Sequence, residues 1–106
     1  MKTFQKIKII DCGLSDNLLK MIIDIILQYA SPDKIILYGS RARGDYKSKS
    51  DIDIAIVLSH HIDGLKEILD EQVPTLLKFD VIYFEEVNET LKKEIVEEGI
   101  ILYEKA

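Results

Sequence analysis

A chain of 106 residues and 12.2 kDa, 47% hydrophobic and 31% charged, has the size and composition of one globular domain spanning residues 1–106. Its net charge of −5 and isoelectric point near 5.0 leave it without the basic surface that non-specific nucleic-acid binding needs, so no direct nucleic-acid partner is expected. Cys12 is the lone cysteine, which excludes an internal disulfide. Met1 to Asp11 has no signal-peptide apolar core and charges break every apolar run before 18 residues, so a cytoplasmic chain without a membrane span is expected.

Taken in chain order, Ser15 to Tyr29 carries Leu18, Leu19, Ile22, Ile25, Ile26 and Tyr29 at steps of three and four, which predicts a core-packed helix with Ser15 as its N-cap. Lys34 to Tyr38, closed by Gly39, predicts a buried strand. Ser50 to Leu58 alternates and then turns wholly apolar, the pattern of a strand emerging from the core at its N-terminal end. Ile62 to Gln72 predicts a second helix, and Lys78 to Phe84, β-branched and aromatic, a third strand. Asn88 caps a helix that stops at Gly99, and Ile100 to Tyr103 is a short terminal strand or an apolar tail. The fold class is α+β, a small mixed sheet flanked by helices.

Charge is unevenly distributed along these elements. Residues 1–39 carry a net +1, residues 40–50 a net +3 and residues 51–106 a net −9. The cationic stretch contains Gly39-Ser40-Arg41-Ala42-Arg43-Gly44, placed between a predicted strand and a predicted short helix. Backbone N–H groups at such a junction suit a phosphate, glycine permits close approach, and Arg41, Arg43, Lys47 and Lys49 strengthen the field. Asp45-Tyr46 stands where a P-loop requires Lys and Ser or Thr, so this is not a Walker A motif; a plain strand-to-helix turn is the simpler reading of the segment by itself.

Asp51 and Asp53, two apart on the next strand, point to one face about 6.5 Å apart. Two carboxylates so placed repel unless a proton or a cation intervenes, and oxygen ligands suit a hard divalent ion. An exposed acidic face on an edge strand is the competing account of the pair. Asp80 lies within Phe79-Asp80-Val81-Ile82-Tyr83, where a buried strand would need a partner for its charge. Three carboxylates from two strands beside a phosphate-binding turn match the requirement of two-metal nucleotidyl transfer.

The run GSRARGDYKSKSDIDIAIV, with Gly39-Ser40 followed after ten residues by Asp51-Ile52-Asp53, resembles the signature of the DNA polymerase beta nucleotidyltransferase superfamily. The short length and the Ala-Arg-Gly and Ser-Asp-Ile-Asp forms resemble its minimal nucleotidyltransferases, the antitoxin-like partners of HEPN-domain proteins. That resemblance implies two magnesium ions on Asp51, Asp53 and Asp80, which are also the catalytic residues, and ATP as substrate. Gly39, Ser40, Arg41, Arg43 and Gly44 would then bind the nucleotide, with Ser40 and Arg43 gripping the triphosphate. It further implies transfer of AMP to a hydroxyl, tyrosine above all, of a separate HEPN-domain protein. A second class stays open: a nucleotide-binding module that neutralises its partner by contact alone.

Other candidates read more plainly. His60-His61 is a solvent-exposed pair at a turn, and Cys12 is a buried or incidental thiol. The apolar face of the first helix leaves room for a homo-oligomer. The acidic helix from Asn88 to Gly99 is a solvated face to which a basic partner can dock.

Overall fold

The computed structural model describes residues 2–3 and 11–106, so much of the Met1 to Asp11 reading lies outside the described residues. A two-residue strand β1, Lys2–Thr3, is followed by helix α1, Asp16–Tyr29, which opens as predicted where the Ser15 hydroxyl accepts the Leu18 N–H at 3.1 Å. Strand β2 is Lys34–Tyr38, and a five-residue helix α2, Gly39–Arg43, follows with no intervening turn. Strand β3, Ile52–Val57, helix α3, Leu65–Gln72, and strand β4, Phe79–Tyr83, come next. A 3-10 turn over Phe84–Glu86 leads to helix α4, Glu89–Glu98, capped where Asn88 Oδ1 accepts the Leu91 N–H at 2.9 Å, and strand β5, Ile100–Glu104, ends the chain.

The strands form one mixed sheet in the order β1-β5-β2-β3-β4, parallel only between β3 and β4. The C-terminal apolar segment is therefore no loose tail. It pairs with β2 and lies inside the sheet, a long-range placement that local pattern does not encode.

Alternation along each strand assigns the two faces. Ile35, Leu37, Ile52, Ile54, Ile56 and Phe79 point to one side, where α1 and α3 cover them with Leu19, Ile22, Ile26, Leu65 and Leu69. Ile36, Tyr38 and Ala55 point to the other, under Ile95 of α4. Each fully buried Ile or Leu contributes about 1.5–3 kcal/mol relative to exposure, so this double covering fixes the sheet.

Two predicted boundaries move. The strand read from Ser50 begins at Ile52, because the Ser50 N–H bonds to the Lys47 carbonyl at 3.0 Å and the Ser50 hydroxyl accepts the Lys47 N–H at 2.8 Å, closing a turn. The helix read from Ile62 begins at Leu65, after Gly64. Among the described residues no helix is long and apolar enough to cross a membrane.

Ile54, fully buried in β3 between β2 and β4, tests this packing. Ile54→Ala is expected to lower the unfolding free energy by about 2–5 kcal/mol in a urea titration. Val96→Ala, on the exposed side of α4, is expected to change it by less than about 0.5 kcal/mol. Equal losses at the two positions would contradict the assignment of faces.

Candidate active site

Strand pairing places three side chains in a row. Tyr38 of β2 is the register partner of Asp53 in β3, and Asp53 is the register partner of Asp80 in β4. All three lie on the sheet face shared with α4, where Tyr38 is buried in the cluster that holds Ile95. Asp51 precedes β3 by one residue and is exposed, Asp53 is half-buried, and Asp80 is exposed. The expectation that Asp80 is a buried charge in need of a partner is therefore incorrect. It sits on the outermost strand, one residue in from the strand's start, where water solvates it.

The Gly39–Ser40 segment closes on the same carboxylates. Gly39 has φ +74°, and a Cβ there would collide with the Asp53 carboxylate, so this position demands both the conformational freedom and the small volume of glycine. The approach places the start of α2 directly against Asp53.

Electrostatics follows from this crowding. Burial, then Asp80, then Asp51 push the Asp53 carboxyl up to about 6, against an opposing pull from Arg43 and Arg41. Burial, then Asp80, Asp53 and Glu94 hold the Tyr38 phenol well above its ordinary range. Tyr38 and Glu94 belong to the site's surroundings although they were not among the sequence candidates. The alternation of β2, with Tyr38 following Ile36 on one face and directly preceding Gly39, was the available signal.

Among the described residues none of Asp51, Asp53 and Asp80 makes an ion pair with Lys, Arg or His. Nor do any three His, Cys, Asp or Glu side chains there form a ready-made metal cage. An all-oxygen, partly exposed anionic site with no directly paired cation fits a magnesium-like ion that takes one or two carboxylates from protein and completes its shell with water and phosphate oxygens.

Two predicted nucleotide contacts are corrected. Arg41 is only 2% exposed, and its guanidinium is spent on the carbonyls of Cys12, Ser50 and Ser48 at 3.0, 3.1 and 3.3 Å, so it cannot reach a triphosphate. Gly44 lies at the far end of α2, where its N–H donates to the Ser40 carbonyl at 2.8 Å and is unavailable to a phosphate. Arg43 is exposed at the guanidinium end, donating to Asp45 Oδ2 at 3.2 Å and Glu98 Oε1 at 3.5 Å, with Glu94 at 3.8 Å.

The histidines stand apart from this row. His61 pairs with Glu86 at 2.9 Å and Asp63 at 3.3 Å and stacks on Tyr83 at the other end of β4, while His60 is exposed. Cys12 is buried, in line with the plain reading of it.

The raised Asp53 value gives a pH prediction for the metal-free protein. A folded-state value of about 6 above the ordinary 3.8 means the folded chain holds this proton more tightly, so the associated stability is present below 3.8 and is lost as pH rises through about 6. In EDTA at pH 7.5, Asp53→Asn is expected to be more stable than wild type by about 1 kcal/mol after discounting for solvent screening. The gap should close by pH 4. Thermal melts across that range check it, and a less stable variant at pH 7.5 would mark Asp53 as a structural group.

The "Polymerase beta, Nucleotidyltransferase" family model matches residues 20–106. "Putative protein adenylyltransferase MJ0604" of Methanocaldococcus jannaschii is 38% identical over 80 residues, 66% of this chain and 77% of that relative. Among solved structures, a toxin-antitoxin complex crystallised with AMP-PNP matches with a TM-score of 0.72 at 22% identity, covering 82% of this chain and 73% of the other. A tri-AMPylated Shewanella oneidensis HEPN toxin in complex with its MNT antitoxin matches at 0.69 and 19% identity, covering 87% and 74%. These likenesses bear out the expected mixed sheet with flanking helices. With a glycine-serine turn set against paired strand carboxylates and a family match running from α1 through β5, the chain belongs to the polymerase beta nucleotidyltransferase family.

Proposed function

We propose that this chain is an ATP- and divalent-metal-dependent protein adenylyltransferase whose acceptor is a hydroxyl, tyrosine above all, on a separate HEPN-domain protein. The observation that carries the reading is the in-register Asp53–Asp80 pair with Gly39 pressed against Asp53. It is supported by the adenylyltransferase name of the 38% identical relative and by solved neighbours that include an AMPylated HEPN toxin beside an MNT antitoxin.

Asp51, Asp53 and Asp80 would hold two magnesium ions. Bound there, the ions supply positive charge to the triphosphate and to the oxygen that attacks it. Gly39 and Ser40 offer backbone N–H groups and a hydroxyl to the phosphates. Arg43 is held only by solvent-exposed ion pairs, which water screens, so a phosphate can draw it away from Asp45 and Glu98. The acceptor oxygen bonds to the α-phosphorus, the bond from that phosphorus to the bridging oxygen breaks, and pyrophosphate departs with the electron pair. The hydroxyl proton passes to a carboxylate oxygen of the cluster; Asp80, exposed at the sheet edge, is the residue that faces an incoming chain. Rate in such a transfer comes chiefly from alignment, which a rigid row across three strands provides.

The test incubates a co-expressed HEPN-domain partner with ATP and magnesium and follows its intact mass. The partner should gain AMP, and Asp53→Asn should slow the gain by about 100-fold or more, as expected for loss of a charge-stabilising group, while the complex still forms. Full silencing of the partner by Asp53→Asn without ATP would overturn the enzyme reading in favour of contact alone.

A further inference from the structure

We infer that Arg41 is a positioning residue, a buried strut that fixes Asp51 relative to the Gly39–Ser40 turn rather than a nucleotide ligand. The inference rests on the proposed function in taking turn and carboxylates as parts of one site.

The geometry begins with α2. Gly39 stands against Asp53, and two residues later Arg41 leaves the same short helix in the opposite sense, into the protein. Its guanidinium binds at three points. Nε donates to the Ser50 carbonyl at 3.1 Å, Nη2 to the Ser48 carbonyl at 3.3 Å, and Nη1 to the Cys12 carbonyl at 3.0 Å. Ser50 is the residue immediately before Asp51. The planar fork thus ties the loop that delivers Asp51 to the helix that opens at Gly39, and ties both to the segment leading into α1.

The strut is held from its other sides. The Tyr46 ring lies 4.8 Å from the guanidinium carbon, and the Tyr46 hydroxyl donates to Asp11 Oδ1 at 2.8 Å. Gly13, with φ +77°, leaves no room for a side chain, since a Cβ there would come within 2.6 Å of both Arg41 Nη1 and the Tyr46 ring. A buried guanidinium ordinarily sits opposite a carboxylate. Here three backbone carbonyls and the face of the Tyr46 ring receive it instead.

Lysine cannot reproduce this arrangement, because a single ammonium cannot span three carbonyls in one plane. Arg41→Lys preserves the charge and releases the loop. The experiment measures Mn2+ affinity of the intact chain without nucleotide, alongside kcat and KM for ATP in partner AMP transfer. Arg41→Lys is expected to weaken Mn2+ binding and lower kcat, each by about 10–100-fold as for other residues that orient metal ligands, with KM for ATP changed less than about threefold. Tyr46→Leu, which removes the supporting ring and its hydroxyl's bond to Asp11 but leaves Arg41 in place, should weaken Mn2+ binding in the same direction by a smaller factor and decides the matter if Arg41→Lys does not fold. Wild-type Mn2+ affinity in a folded Arg41→Lys, or in Tyr46→Leu where that variant decides, overturns the inference. So does a raised KM for ATP at unchanged kcat, which would make Arg41 a nucleotide ligand. A wild-type chain that binds Mn2+ but transfers no AMP overturns the proposed function instead, and Arg41 is then judged on the Mn2+ ratio alone.

Discussion

Two aspartates brought into register on adjacent parallel strands repel each other, and the arrangement around them is organised by that repulsion. Neighbouring strands lie about 4.8 Å apart, close enough for like charges on one face to be destabilising. The pairing of Asp53 with Asp80 survives because the opposite face of the same two strands is anchored: Ile52, Ile54 and Phe79 are buried against α1 and α3. Hydrophobic burial on one side of the sheet thus holds together a charge arrangement on the other side that would separate if left to itself.

The same constraint explains the chemistry of α2. A side chain at the start of this helix would occupy the space of the Asp53 carboxylate, so the position is glycine. Cations cannot pair directly with the carboxylates without filling the place where a metal and phosphates would go. The chain's two arginines there accordingly point elsewhere: Arg41 down into backbone carbonyls, Arg43 outward to Asp45, Glu94 and Glu98. Both still draw the Asp53 value downward from a distance. Their charge reaches the site through space while their side chains leave it open.

What the sequence made legible follows the range of the physics involved. The cap at Ser15 and the apolar periodicity of α1 are encoded within a few residues and appear where the pattern places them, whereas the segment expected as a strand-to-helix turn, Gly39 to Arg43, is itself helix α2. Strand register is not local. That Asp53 faces Asp80 depends on how β3 and β4 dock, as does the insertion of β5 beside β2. The errors share that origin. The apolar neighbours of Asp80 suggest burial, but β4 is the outermost strand and Asp80 is exposed on it. The cationic run around Arg41 suggests a phosphate ligand, whereas its partners lie at residues 12, 48 and 50, which no window on the sequence joins.

Exposure rises along the row, from buried Tyr38 through half-buried Asp53 to exposed Asp80. Ile95 and Leu91 of helix α4 pack with Ile36, Tyr38 and Ala55, whereas Asp53 is half-buried and Asp51 and Asp80 are exposed. A bound cation would offset the negative charge of the row and so relieve the repulsion from Asp80 and Asp51 that, after burial, raises Asp53. The carboxylate pair is therefore most strained when the site holds no cation. That difference favours charged, metal-bound nucleotide over the protein alone, and it makes occupancy of the site and relief of its electrostatic strain the same event.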